Sequence, residues 1–192
     1  FAASANCVLY CDGIPVFADI KSDVPLIDPK EIEKKITKKT RAIIPVDYSG
    51  MPADYEEITT LAKEFGAIVY VDDAHGNGVL GPSGRGSAEL LGVDQLVDLP
   101  VGTFSKAFAC AGGFVAGDKD TCDYLRIASR TYVFETAMPP VVAAGVIAAL
   151  DVAEEEPWRR TQVLLNAQRV RQELEKLGFS TLTLTFSYSP NT

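Results

Sequence analysis

The sequence predicts an α/β fold built on a mainly parallel β-sheet. Short apolar runs alternate with helical patterns along residues 1–140, and this order is typical of helices that cover both faces of a parallel sheet. Several runs are rich in Val and Ile and lack the alternation of half-exposed strands, as expected for strands buried on both faces. The predicted strands are Pro15–Ile20, Arg41–Asp47, Ala67–Asp73, Leu96–Phe104 and Phe114–Gly117.

Helical patterns fill the intervals between these strands. They predict helices at Asp28–Thr37, at Ala53–Phe65 and at Lys119–Ser129; Pro29 suits a first helical turn, and Gly66 suits a helix end.

A change of pattern after Pro140 predicts a second domain. Two long helices, Val141–Glu155 and Trp158–Leu177, are followed by Gly178 as a C-cap and by the strand-like run Ser180–Phe186. We therefore expect a large domain at residues 1–140, then a linker helix and the start of a small α+β domain at residues 141–192. Because the chain starts at Phe1 without Met, we also expect a fragment that lacks the beginning of the large domain.

The composition and charge of the chain exclude several classes of binding partner. A chain of 192 residues that is 47% hydrophobic has one substantial core, and a net charge of −8 with scattered basic residues argues against nucleic-acid binding. Four cysteines and a single histidine match no familiar zinc pattern, so no metal site is predicted. No run of about 18 apolar residues and no signal-peptide pattern occurs. We expect a cytoplasmic protein with no membrane span and with small-molecule substrates.

Two polar clusters follow predicted strands, at the strand ends where open α/β sheets bind ligands. In the first cluster, an apolar run leads directly into Asp72, Asp73 and His75. An aspartate at a strand end often only caps the next turn, and a lone histidine is often structural. Taken alone, this cluster leaves both interpretations open.

The second cluster is Gly102–Phe108, which contains Thr103, Ser105 and Lys106. Lys106 is the only Lys or Arg between Arg85 and Lys119. We expect a cation in so apolar a segment to be buried, and therefore paired or chemically used, because a buried unpaired ammonium is costly. The alternative interpretation is that the aliphatic stem of Lys106 covers apolar surface while its ammonium group reaches water.

Together the clusters supply what pyridoxal 5'-phosphate (PLP) requires. This cofactor needs an amine to carry it, a carboxylate at its pyridine nitrogen, and hydroxyl or backbone donors for its phosphate. Lys106, Asp72, and Thr103 with Ser105 are groups of these types.

Four stretches resemble the α-oxoamine synthase family of fold-type-I PLP enzymes. They are VDDAHGNGVLGPSGRGSAELLG, VDLPVGTFSKAFACAGGFVAGD, YLRIASRTYVFETAMPP and EEEPWRRTQVLLNAQRVRQELEKLGF. The resemblance implies an aspartate-aminotransferase-like large domain and the roles that follow. Asp72 would partner the pyridine nitrogen, His75 would contact the phenolic oxygen of PLP, Thr103 would bind phosphate, and Lys106 would form the Schiff base. Thr136 would reach the phosphate from the neighbouring subunit, which implies a homodimer with shared active sites.

Other segments depart from that family. FAASANCVLYCDGIPVFADI and TRAIIPVDYSGMPADYEEI resemble the DegT-type sugar aminotransferases, which are also fold-type-I PLP enzymes. The chain has Phe134-Glu135-Thr136-Ala137 where α-oxoamine synthases commonly have Phe-Ser-Thr-Ser, so a carboxylate lies beside the expected phosphate ligand. Where the family often has Ser-Met-Asp-Gly, the chain has Asp47-Tyr48-Ser49-Gly50, so a cofactor-side serine is missing at its usual place.

Three functions therefore stay open. The preferred one is decarboxylative condensation of an amino acid with an acyl-CoA by a C-acyltransferase of the α-oxoamine synthase type. The others are a PLP-dependent aminotransferase that acts on a sugar or an amino acid, and a non-catalytic or truncated remnant of the PLP fold.

Overall fold

A four-stranded sheet organises the computed structural model, which describes residues 2–181. Its strands are β1 (Ala42–Ile43), β2 (Ile68–Asp72), β3 (Leu99–Thr103) and β4 (Gly113–Val115). They lie in the order β1-β2-β3-β4; the first three are parallel, and β4 is antiparallel to β3. The prediction of an α/β fold with a mainly parallel sheet is confirmed.

Eight α-helices surround or follow this sheet within the described residues. They are α1 (Ala2–Tyr10), α2 (Pro29–Glu33), α3 (Tyr55–Phe65), α4 (Ser87–Leu91), α5 (Lys119–Ala128), α6 (Arg130–Val133), α7 (Pro140–Glu155) and α8 (Trp158–Lys176). Short 3-10 turns lie at Tyr48–Gly50 and Asp94–Leu96.

The hydrophobic core lies between α3 and the first strands. Helix α3 buries Tyr55, Ile58 and Ala62, and it ends at Gly66, whose φ of 66° is left-handed and therefore suited to glycine. Strand β2 buries Val69 and Val71 on its core side. The same cluster also includes Ile32, Ile36, Ile43, Ala53, Ala67 and Val93.

Two predicted elements differ from the structure near the beginning of the chain. No strand forms at Pro15–Ile20; only Ile20 makes an isolated antiparallel bridge with Ile27, while Ile14 and Phe17 are exposed. A strand needs a hydrogen-bonding partner, which this apolar run lacks within the described residues. The helix predicted at Asp28–Thr37 is shorter, α2, although Asp28 caps it by accepting a hydrogen bond from the Lys30 N–H.

The two long C-terminal helices are confirmed as α7 and α8. Gly178 follows with φ of 86°, and the N–H groups of Gly178 and Phe179 donate to carbonyls in the last turn of α8. Most of the strand predicted at Ser180–Phe186 lies outside the described residues. The boundary at residue 140 and the small α+β domain remain predictions.

Candidate active site

Asp72 ends strand β2 at an edge of the sheet. Its register partner on β3 is Val101, and the backbone pairing continues one residue further, with the Asp73 N–H donating to the Val101 carbonyl at 3.1 Å. Asp72 is half-buried, and its Oδ1 accepts a hydrogen bond from the Ala74 N–H at 3.2 Å. The second oxygen has no hydrogen bond to a described residue, so this carboxylate still has an acceptor for a ligand.

Lys106 lies in a tight turn that the Thr103 hydroxyl organises. The Thr103 hydroxyl donates to the Gly112 carbonyl at 3.1 Å, and its oxygen lies 2.8 Å from the Ser105 hydroxyl. The Ser105 N–H also donates to the same oxygen, at 3.2 Å. The Thr103 and Ser105 hydroxyls therefore lie together directly before the lysine.

The burial predicted for Lys106 is wrong for the described part of the chain. Its side chain is exposed, and it forms no ion pair with a residue among 2–181. The turn follows the carboxyl end of β3, and Ser105, Lys106 and Ala107 in it are exposed within residues 2–181. The apolar residues that flank Lys106 in the sequence therefore do not bury its side chain in the described structure.

The structure brings most of the predicted site residues to one edge. Strands β2 and β3 are adjacent and parallel, so Asp72 and the segment Thr103–Lys106 follow their carboxyl ends on the same side of the sheet. His75 is exposed in the loop after Asp72, and its ring meets the Tyr48 ring edge-on, with 6.5 Å between centroids.

Thr136 lies further along the chain, between α6 and α7. Its side chain is exposed, and its hydroxyl has no hydrogen bond to a described residue. The same segment does approach the Lys106 turn, because a Cβ at Gly112 would lie 2.9 Å from the Met138 methyl carbon. The role predicted for Thr136 is thus neither supported nor opposed by a contact within the chain.

A buried polar network beneath the site was missed by the sequence analysis. The fully buried Asp47 accepts hydrogen bonds from the Ala53 N–H at 3.0 Å and from the Tyr55 hydroxyl. Asp73 is also buried, and it accepts from the Ser87 N–H and the Ser87 hydroxyl, each at 2.7 Å. An available signal was the position of Asp47, which ends an apolar run as Asp72 does.

Burial raises the pKa of both carboxyls. For Asp73 the pKa rises from an ordinary value of 3.8 to about 7, chiefly through burial, while hydrogen bonds from Ser87 oppose the rise. Burial likewise raises the pKa of Asp47, and the hydrogen bond from Tyr55 opposes it. The pKa of Tyr55 is raised by burial and by the adjacent Asp47 charge.

Asp73 also joins the two ends of the loop 73–87, which carries His75. Asn77 donates to the Asp73 Oδ2 at 3.2 Å, and the chain returns so that Gly86 lies against the same carboxylate. A Cβ at Gly76 would lie 2.2 Å from Asp73 Oδ1, and a Cβ at Gly86 would lie 1.9 Å from Oδ2. Both glycines are therefore needed where the backbone approaches the carboxylate.

Comparison with known proteins identifies the family to which this sheet and its polar edge belong. A family model described as aminotransferase class I and II matches residues 26–186, and the chain belongs to this family.

More specific relatives carry the names of condensing enzymes. A putative 8-amino-7-oxononanoate synthase of Halalkalibacterium halodurans is 45% identical over 131 residues, which is 68% of this chain and 33% of that protein. The serine palmitoyltransferase of Bacteriovorax stolpii is 40% identical over 154 residues, which is 78% of this chain and 37% of that protein. The resemblance to α-oxoamine synthases is thereby confirmed, although the chain spans only about a third of the length of these relatives.

Solved structures agree with the fold. A serine palmitoyltransferase variant from S. paucimobilis, solved with a bound PLP–myriocin aldimine, superimposes with a TM-score of 0.74 at 30% identity, covering 82% of this chain and 43% of that one. The Sphingomonas wittichii serine palmitoyltransferase gives a TM-score of 0.72 at 29% identity, covering 80% and 40%. The fold predicted from the motifs, part of a fold-type-I large domain, is confirmed.

Proposed function

We propose that this chain forms part of a PLP-dependent acyltransferase that condenses an amino acid with an acyl-CoA and releases carbon dioxide and free CoA. The observation that carries the proposal is the placement of Asp72 and of the Thr103–Lys106 turn at the carboxyl ends of adjacent parallel strands. The relatives named 8-amino-7-oxononanoate synthase and serine palmitoyltransferase support this reaction class over the alternatives.

The residues at this edge fit PLP. The Lys106 amine is exposed and is not ion-paired within residues 2–181, so it is available to carry the cofactor. Asp72 has an oxygen without a hydrogen bond to a described residue, which suits the protonated pyridine nitrogen. The neighbouring hydroxyls of Thr103 and Ser105 suit a phosphate group. When bound, PLP supplies an electron sink for negative charge that develops at the substrate Cα.

Each side chain then has a distinct task. The Asp72 carboxylate holds a proton at the pyridine nitrogen, and His75 orients the phenolic side of the ring. Lys106 Nζ holds the cofactor and afterwards moves a proton to or from the substrate Cα, which is general acid–base catalysis by a positioned amine. Asp73 is excluded from the pyridine contact because its carboxylate is occupied by Ser87 and Asn77.

We further propose a homodimer with shared sites, in which Thr136 of one subunit reaches the phosphate bound by the other. Exposed apolar side chains flank this threonine in the sequence, including Tyr132, Phe134 and Val141, and a contiguous exposed apolar patch is typical of an interface. A cytoplasmic location is part of the same proposal. No helix within residues 2–181 is long and apolar enough to cross a membrane.

The test uses the full-length protein with an amino acid and an acyl-CoA series, and it measures free thiol and carbon dioxide. The expected result is thiol release in step with carbon dioxide, abolished by Lys106→Ala. A matched control is Lys119→Ala, which removes an exposed lysine paired with Asp123 on α5. If glutamate instead converts bound PLP to pyridoxamine phosphate and no acyl-CoA reacts, the protein is an aminotransferase. A protein that binds PLP but performs neither reaction is a remnant of the fold.

A further inference from the structure

Two carboxyl groups are buried side by side beneath the candidate site. Asp47 follows the β1 segment and Asp73 follows β2, and both side chains are buried. The two strand ends are paired, because Val46 bridges Asp72 and the Asp47 N–H donates to the Asp72 carbonyl at 3.1 Å, one residue before Asp73. Neither carboxyl is ion-paired with a Lys or Arg in the part of the chain that the structure describes. Two anions on paired strand ends, out of water and without a cation, repel each other.

The groups that face this pair come from every neighbouring element. Helix α3 contributes the Tyr55 hydroxyl to Asp47, and the first residue of α4, Ser87, contributes its N–H and hydroxyl to Asp73. The loop contributes the Asn77 amide to Asp73. A further charge that acts on this network is that of Asp72, which influences Tyr55. All these hydrogen-bond partners are neutral, so none compensates a second negative charge.

Retention of one proton removes the repulsion. With a single proton, one carboxyl becomes a donor, and the Ser87 hydroxyl, which lies 2.7 Å from Asp73 Oδ1, is the polar group placed to bridge them. We propose that Asp47 and Asp73 share one proton through this contact and act as positioning residues that fix the loop carrying His75 and the direction of Asp72. The positioning role rests on the proposed function, whereas the shared proton does not.

Positioning follows from how Asp73 connects the backbone. Asp73 starts the loop 73–87, and its carboxylate accepts hydrogen bonds from Asn77 within the loop and from Ser87 at the far end, while the preceding residue, Asp72, ends the strand. Successive side chains on an extended strand point to opposite sides. Fixing the Asp73 side chain in the interior therefore turns the Asp72 side chain away from the core and towards the site edge.

Titration supports this arrangement. The pKa of Asp73, about 7, is that of a carboxyl that keeps its proton in mildly acidic solution and loses it as the pH passes through neutrality, and burial is the main cause. Loss of the proton above this pH would place a second anion beside Asp47. We expect the loop, and with it PLP affinity, to weaken on the alkaline side.

The shared proton is tested first by infrared titration of the full-length protein without cofactor. At pH 6, below the Asp73 pKa of about 7, a protonated-carboxyl band is expected that disappears as the pH rises. Asp47→Asn and Asp73→Asn should each move the midpoint of this titration to lower pH by about one unit or more, because each removes the neighbouring charge. Absence of the band in the wild type, or an unchanged midpoint in both variants, overturns the shared proton.

The positioning role is tested by amide hydrogen exchange across residues 74–86 and by PLP affinity. Asp73→Asn keeps a neutral group of the same shape and should change the affinity by less than about threefold at pH 7, while Asp73→Ala should lose about tenfold or more. The same Ala variant should exchange loop amides faster. If it does not fold, Ser87→Ala, which removes the bridging hydroxyl, replaces it.

Asp98→Asn is the matched control, because Asp98 accepts from the Val69 N–H at the opposite end of β2 and should alter neither readout. Unchanged loop exchange and affinity in Asp73→Ala overturn positioning. If the full-length protein binds no PLP, the proposed function fails, while the infrared and exchange measurements still decide the inference.

Discussion

Replacing Asp73 by asparagine should change how the stability of the protein depends on pH. The carboxyl has an ordinary pKa of 3.8 in an unfolded chain and a pKa of about 7 in the folded protein. Below about pH 4 both states carry the proton, so the stabilisation from proton binding is fully present. Between pH 4 and 7 the unfolded state loses its proton while the folded state retains it. The free energy of unfolding therefore falls as the pH rises, and above pH 7 this group has no further effect.

The size of the effect follows from the two pKa values. A difference from 3.8 to about 7 corresponds to about 4 kcal/mol at most. Asparagine has no titration in this range, so the variant should gain this amount relative to the wild type between pH 4 and 8. Urea unfolding of both proteins across that range measures the difference, in which the contributions of carboxylates that do not interact with Asp73 cancel. A constant difference from pH 4 to 8 would refute the raised pKa of Asp73 and the reasoning built on it. Asp98→Asn should leave the pH dependence unchanged.

Three more predictions concern the same region. Borohydride reduction of the full-length protein with PLP should fix the label on the peptide containing Lys106, and label recovered on Lys63 or Lys119 would exclude that assignment. Asp72→Asn should lower turnover by several orders of magnitude and Asp73→Asn far less, because Asp73 is occupied by Ser87; steady-state kinetics that rank them in reverse would contradict the site. Gly86→Ala should cost about 3 kcal/mol or more in urea unfolding, since its Cβ would lie 1.9 Å from Asp73 Oδ2 at a φ of 106°. Its control is Gly92→Ala, which has open space and should cost about 1 kcal/mol; equal costs would remove the steric argument.

Elements with strong local signals were predictable from the sequence. Strand β2 is a Val-rich run between Gly66 and two aspartates, and α3 combines an apolar face with a glycine end. Both form where the sequence predicts them, because their signals lie within the element itself. The run Pro15–Ile20 has the apolar composition of a strand but lacks a partner strand among the described residues. Strand formation depends on that partner. Its failure shows that composition alone does not specify pairing.

The candidate site was predictable only in part, for a similar reason. Asp72 and Thr103 follow adjacent strands, so strand order alone brings them to one edge. The exposure of Lys106 depends on what covers the turn in space, which the neighbouring residues in sequence do not determine. The association of Asp47 with Asp73 depends on three separate segments meeting at Ser87. The hydrophobic periodicity of the sequence does not show which distant segments pack together. The one available signal was that Asp47 and Asp73 each end an apolar run.

The contact between Gly76 and Asp73 limits the order in which substitutions can accumulate. Gly76 has an ordinary backbone conformation, so a methyl group there is excluded by its neighbours alone, the Asp73 carboxylate at 2.2 Å and the Ser87 hydroxyl at 2.9 Å. Alanine at position 76 therefore requires both a shorter residue at position 73 and a shift of the Ser87 hydroxyl, and the first change also removes the anchor of the loop. Related proteins that retain Asp73 should therefore also retain Gly76. Those that have replaced both residues must fix the loop that carries His75 by other contacts.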